Sequence, residues 1–239
     1  MLENNVLVNW FNTNSGFVSV LIFLITLLLG WITGIFSSLR RKPKFSIEVI
    51  PGPSLSSTYF TGNKFNEFDA HITAISLYLK ITNIGSAPSS IDKVKVGYHW
   101  NINKFNLIWI KYRLGWSWII PTIINNDFMI NVDKDNAKVF PFLFQRSILL
   151  NTQTDTYLNI GQNAIGMVYF EQQESWGGAF PIKNKETTKI KVVISDSFGH
   201  NHSLITTIPV VEINEARKFN ENFGCTYPSI NKINESEID

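Results

Sequence analysis

The stretch "LYLKITNIGSAPSSIDKVKV", Leu77 to Val96, decides how the soluble part of this chain reads. Leu77, Leu79 and Ile81 alternate with Tyr78, Lys80 and Thr82, the period of a strand with one apolar face. Asn83-Ile84-Gly85-Ser86-Ala87-Pro88 then interrupts the pattern. Asn and Gly accept a turn, and Pro has no N–H to give to a ladder. Val94, Val96, Tyr98 and Trp100 resume the alternation. Working outward, Phe45, Ile47 and Val49 mark an earlier strand, which Pro51-Gly52-Pro53 is expected to stop. Residues 54–70 read as a polar, Ser- and Asn-rich loop, and Ile75 opens the strand that contains Leu77. Downstream, 139–144, 157–160, 165–170, 189–195 and 203–211 read as further strands. Short strands, Gly, Pro and Asn turns and no helix of useful length between them predict a mainly β fold, a sandwich rather than an α/β protein.

The same twenty residues resemble the strand–turn–strand of immunoglobulin-like adhesion and CARDB-type domains of bacterial proteins. That resemblance implies an immunoglobulin-like β-sandwich. It is at the level of the fold and brings no functional residues with it.

Ahead of the sandwich lies an uncharged run, Phe17 to Phe36, with sequence FVSVLIFLITLLLGWITGIF. A bilayer core of ~30 Å takes about 20 helical residues, so this run is long enough to span. A secretory signal would carry a basic start, a shorter apolar core and a small-residue cleavage site. Here the preceding residues hold Glu3 and no Lys or Arg, and the exit Ile35-Phe36-Ser37-Ser38-Leu39 has a bulky residue where a small one is needed. The run reads as a retained anchor, with Trp10 and Trp31 as candidates for the interfacial aromatic belt. Four cations follow it, Arg40, Arg41, Lys42 and Lys44. Cations are retained on the cytoplasmic side, so the N-terminus is expected outside and the sandwich in the cytoplasm, at the inner membrane of a bacterial cell. The same four residues suit anionic headgroups. Cys225 is the only cysteine, which excludes an internal disulfide and fits a reducing compartment. The sequons at Asn201 and Asn234 matter only on the opposite topology. A net charge of +2 gives no concentrated basic face and no reason to expect nucleic acid.

The segment Asn106 to Ile124, "NLIWIKYRLGWSWIIPTII", is apolar enough to suggest a second span. Lys111 and Arg113 near its middle, each costing ~2.5–3.5 kcal/mol at a helix centre, exclude that. Ile108, Ile110, Tyr112, Leu114, Trp116 and Trp118 share one parity, which predicts a strand, or two strands bent at Gly115. Two readings fit. One is a core strand with a solvated outer face. The other is an aromatic ledge with basic neighbours, Trp109, Lys111, Arg113, Trp116 and Trp118 together with Trp176, that touches a protein partner or the bilayer.

Catalytic signatures are weak throughout. Asp196, His200 and His202 in "DSFGHNH" are the only metal candidates, and three residues across a Gly turn fall short of a built zinc site. "QESWGGAF", 173–180, lacks the first Gly of a nucleophile elbow. Gly161 and Gly166 are spaced as in a phosphate loop, but Met167 and Val168 stand where Lys and Ser or Thr belong. Cys225 has no adjacent His to activate it. No cofactor is expected, and the chain reads as a non-enzyme.

The span itself carries a stripe of small residues, Ser19, Thr26, Gly30, Thr33 and Ser37, with Gly34 completing a GxxxG pair. Small residues on one face let two helices approach, so a homo-oligomer through the span is expected. The expected organisation is a short tail at 1–16, the span at 17–36, a basic linker at 37–44, a sandwich at 45–211 with an aromatic-rich elaboration at 101–136, and a polar tail at 212–239 in which Asn214 to Phe219 suit a turn of helix packed on the sandwich. Function is read as binding of a protein partner, or of a second copy, under a membrane. A bacterial effector or sensor of phage-defence type is the setting that fits this architecture, and a tethered small-ligand receptor or hydrolase around His200, His202 and Trp176 is the rival.

Overall fold

A computed structural model describes residues 9–34, 41–102, 105, 107–133, 136–150 and 153–226. The chain divides into two compact units, Met1–Lys42 and Pro43–Asp239. In the first, helix α1 (Ser15–Ile32) is long and apolar enough to cross a membrane. Its eighteen residues span about 27 Å at 1.5 Å each. The hydroxyls along it are satisfied within the helix, Ser19 on the Ser15 carbonyl (2.8 Å), Thr26 on Ile22 (2.8 Å) and Thr33 on Leu29 (2.7 Å). They therefore cost little in an apolar medium. The helix ends earlier than Phe36. Thr33 caps it, and Gly34 follows with a left-handed φ of 76°. Gly34 thus terminates the helix as C-terminal glycines do, while Gly30 stands on the helix body. Ser37 and Arg40 lie outside the described residues, as do residues 227–239.

The second unit is mainly β. Strand β1 (Phe45–Phe65) pairs antiparallel with β2 (Phe68–Asn83), from Phe45 opposite Asn83 to Phe65 opposite Phe68. After β3 (Ser89–Tyr98) come the helical turn α2 (Leu107–Trp109), β4 (Ser117–Ile119), a hairpin of β5 (Phe128–Asp133) and β6 (Asn136–Phe140), and the short β7 (Tyr157–Leu158). Then follow β8 (Asn163–Glu171), β9 (Ser175–Trp176), β10 (Lys183–Asn184), β11 (Thr187–Asp196), β12 (Asn201–Pro209) and helix α3 (Ile213–Arg217). One sheet runs β1-β2-β8. In the other, β11 pairs with β12 and with β3, and β3 pairs with β4. All these pairings are antiparallel, and the strand order is that of an immunoglobulin-type sandwich. Ile75, Leu77, Leu79 and Ile81 of β2 meet Val94 and Val96 of β3 and Ile190, Val192 and Ile194 of β11 in one fully buried cluster. The alternation legible in 77–96 and 189–195 is the inward face of the two sheets.

Two segments differ from the sequence expectation. Pro51-Gly52-Pro53 does not end β1. The ladder shifts register between Ile50 and Leu55 and then continues to Phe65, so most of the expected loop at 54–70 is strand. Serines make this possible, because their small hydroxyls serve the backbone groups that the bulge frees. Ser54 Oγ donates to the Ile50 carbonyl (2.6 Å) and accepts from the Tyr78 N–H (2.8 Å), and Ser76 Oγ donates to the Pro53 carbonyl. The second difference is another core on the outer face of the first sheet. Leu55, Ala74, Met167 and Tyr169 are covered there by Ile124, Phe128, Phe140 and Phe142, and by Ala216 and Phe223 from beyond β12. The segment after Glu212, expected as a polar tail with a turn of helix over 214–219 packed on the sandwich, carries that helix as α3 and is part of the fold as far as Thr226. Buried Glu171 holds it, accepting from the Tyr169 hydroxyl and from the Thr226 N–H (3.2 Å), while the Gly224 N–H donates to Tyr169 (2.8 Å). The Tyr59 hydroxyl donates to the Gly224 carbonyl, and its pKa is pushed up to about 12, by burial first and then by the charges of Cys225 and Glu171.

The end of the sandwich where β1 begins is closed by Asn83, which is fully buried. Its Nδ2 donates to the carbonyls of Ala87 (2.8 Å) and Leu158 (3.1 Å), and its Oδ1 accepts from the Gly85 N–H (3.0 Å) and, at 3.5 Å, from the Lys44 N–H. The turn that carries the chain from one sheet to the other is therefore built around a single amide.

Candidate functional site: an aromatic and basic ledge

Strand β3 crosses the sandwich from Ser89, beside Leu158 and the Asn83 turn, to Tyr98, a run of about 30 Å at ~3.3 Å per residue. At the far end the Tyr98 hydroxyl donates to Gln172 and to the Ala179 carbonyl (3.3 Å), so both sheets and the loop after β9 meet there. The candidate site is built on this end.

Beyond Tyr98 the chain leaves the sheet and forms α2, which runs directly into a wider π-type turn over Ile110–Leu114. The Gly115 N–H donates to the Ile110 carbonyl (3.3 Å), five residues back. A β-carbon on Gly115 would sit 2.2 Å from the Lys111 carbonyl oxygen, so this turn closes only around a glycine. Two anchors hold it on the sandwich. The Trp100 N–H donates to the Tyr112 carbonyl (2.9 Å), with the two rings stacked at 4.0 Å. His99 Nδ1 donates to the Gly115 carbonyl (2.8 Å), and its ring lies 4.0 Å from that of Trp116. Trp118 on β4 covers Gly97, its cross-strand partner, and Lys95 Nζ stands 4.8 Å above the Trp118 ring.

This arrangement corrects the expected strand over 108–118, of which only Ser117–Ile119 forms. The shared parity of Ile108, Ile110, Tyr112 and Leu114 coincides with a second pattern, Leu107, Ile110 and Leu114, at helical spacings of three and four. The turn wins because Gly115 admits it and because Tyr112 stacks inward. The apolar side chains of this segment, Ile108, Ile110 and Leu114 of the expected strand among them, consequently point out. Leu107 is 84% exposed, Phe105 78% and Leu114 62%, and Ile108 and Ile110 are exposed as well. None of these five was singled out from the sequence as a surface residue; the helical spacing was the signal available for three of them. Of the six residues that were, Trp109, Lys111, Arg113, Trp116 and Trp118 converge on the ledge. Lys111 Nζ lies 4.9 Å from the Tyr112 ring, and Nη1 of half-buried Arg113 has no hydrogen-bond acceptor. Trp176 sits elsewhere at this end, stacked at 4.2 Å on Phe65 near the tip of the β1–β2 hairpin. The loop after it touches the base of the ledge, where a β-carbon on Gly178 would meet the Asn101 carbonyl oxygen at 2.3 Å. Between the two, fully buried His71 has its ring edge-on to Phe180 at 5.1 Å, and neither ring nitrogen makes a well-formed hydrogen bond. Burial holds its pKa below the ordinary value, partly offset by nearby main-chain groups of Ala179 and Asp69.

Asp196, His200 and His202 do come together, at the opposite end of the sandwich. His202 Nε2 is 3.0 Å and His200 Nδ1 3.3 Å from Asp196 Oδ2. Their geometry is that of a fastened hairpin. His202 Nδ1 accepts the Phe45 N–H (3.2 Å), so its proton is on Nε2 and points at Asp196. Asp196 Oδ1 accepts the Phe198 and His200 N–H groups (2.9 and 3.0 Å). Burial opposes ionisation of this carboxyl, but the donors from His202, His200 and Phe198 outweigh it and hold the pKa below 3.8. Among the described residues no group of three or more His, Cys, Asp and Glu side chains is arranged to hold a metal ion.

No protein-family model matches the chain, and no curated protein matches it.

Two outcomes test this geometry. Gly115→Ala should lower stability by about 1–3 kcal/mol through the forced displacement of the turn, and should change the tryptophan near-UV circular dichroism. An unchanged spectrum would contradict the closed π-type turn. Asp196→Asn should destabilise the fold by about 1–3 kcal/mol at neutral pH. Because the folded pKa of Asp196 is depressed, its contribution is complete above 3.8 and is lost as pH falls through the lower folded value. The gap between the Asn variant and the parent should therefore close in acid, as read by denaturant titrations across that range.

Proposed function

We propose that the chain is a non-enzymatic, single-pass membrane protein whose sandwich binds a protein partner through the ledge. The observation that carries this reading is the run of exposed Phe105, Leu107, Ile108, Ile110 and Leu114, with Trp118 beside it, on a turn pinned by Trp100 and His99. A run of exposed apolar side chains edged by Lys and Arg has the make-up of a binding surface. Arg40, Arg41, Lys42 and Lys44 support an orientation with the N-terminus outside and the sandwich in the cytoplasm, and they suit the anionic headgroups beside the span. Ser19, Thr26, Gly30 and Thr33 support pairing of spans into a homo-oligomer, with Gly34 beyond the helix body and Ser37 outside the described residues. A bacterial effector or sensor of phage-defence type is the setting in which such clustering under a membrane has an evident use.

A photo-crosslinking residue at Leu107 or Leu114 should give a discrete protein adduct in intact cells, and the same residue at exposed Ile205 on β12 should not. Equal yields at all three positions would remove the ledge as the binding face. With Cys225→Ser as background, Ile205→Cys should react with a membrane-impermeant maleimide only after lysis. Labelling of intact cells would reverse the orientation.

A further inference from the structure

Resting on the reading of the ledge as a partner surface, we infer that its partner is an acidic protein segment with an apolar face. Between Asp92 and Asp127 the sequence contains Lys93, Lys95, Lys104, Lys111 and Arg113 and no acidic residue. At the start of this run Lys93 pairs with Asp92 (3.8 Å). Among the described residues Lys95, Lys111 and Arg113 form no ion pair. Lys95 and Lys111 stand over the rings of Trp118 and Tyr112 instead, and Arg113 keeps one buried N–H without an acceptor. A carboxylate arriving beside the apolar side chains supplies counter-charge to a stretch that has none of its own. The exposed apolar positions Leu107, Ile110 and Leu114 follow helical spacing, so they fit the stripe of an amphipathic segment. A protein segment is favoured over an anionic bilayer by position. The chain coming from the span joins the sandwich at Phe45, which is tied to His202 and Asn83, whereas the ledge is at the other end of β3, about 30 Å along the strand.

The test uses the full chain in nanodiscs of neutral phosphatidylcholine, titrated with a short amphipathic helical peptide of Leu and Glu and with its Lys counterpart, read by tryptophan fluorescence. The Glu peptide should bind about tenfold more tightly than the Lys peptide, with the preference shrinking as salt rises. Lys111→Gln should weaken the preference, and Lys111→Glu with Arg113→Glu should abolish or invert it. Leu107→Ser should weaken both peptides without changing their ratio, which separates the apolar from the charged contribution should the double variant fold poorly. Equal binding of the two peptides, or binding only to vesicles containing phosphatidylserine, overturns the inference. So does a Leu107 adduct that maps to a basic segment or solely to a second copy of this chain. The absence of any adduct at Leu107 and Leu114 would instead remove the parent reading of the ledge as a partner surface.

Discussion

The Asn83 amide is the constraint on which the sandwich rests. At one point it links the start of β1, the crossing from the first sheet to the second and the carbonyl of Leu158 on β7. A hydrophobic side chain in its place would leave those backbone groups buried and unpaired, at about 1–3 kcal/mol for each. Asp196 does the same work on the neighbouring hairpin and reaches β1 through His202 and the Phe45 N–H. Polar side chains thus fix the geometry of the end where the chain arrives, and apolar burial along the strands only has to fill the space between.

From that end the strands carry two cores. β2 is the middle strand of its sheet and is buried on both faces over Ala70–Leu77, so it separates the sandwich interior from the aromatic cluster beneath α3. Residues on both sides of the canonical strands were enlisted to cover the second face, the hairpin of β5 and β6 and the segment up to Thr226. Covering one face with aromatics left the other aromatic-rich segment, 105–118, free to stand outward on the end of the molecule.

The strands at 77–96 and 189–195 were legible because one face of each is apolar and the other is not, and alternation records that difference directly, whereas 165–170 was legible as a short, nearly continuous apolar run, buried on both faces. Residues 54–65 were illegible for the complementary reason. Ser54, Ser56 and Ser57 are buried, and small hydroxyls carry no periodic signal even where they line a ladder. The ledge was half legible. Its aromatic and basic composition stood out, but Ile108, Ile110 and Leu114 satisfy a strand's parity and a helix's spacing at once, and only the contact between Gly115 and the Lys111 carbonyl, invisible in one dimension, decides between them. Asp196, His200 and His202 stood out as close in sequence, but whether the Gly turn between them scatters them was not legible. The purpose of the cluster depended on Phe45, more than 150 residues away in the chain.

The antiparallel register of Phe45–Ile50 against Tyr78–Asn83 has a mechanical side. The tether from the apolar helix joins at Phe45, and the ledge occupies the other end of the strands, so a load applied between them runs along the strand axis. Six residue pairs then resist together in shear, where a pull from the same side would open them one at a time. A sandwich loaded between these two points is a stiff strut along its strands.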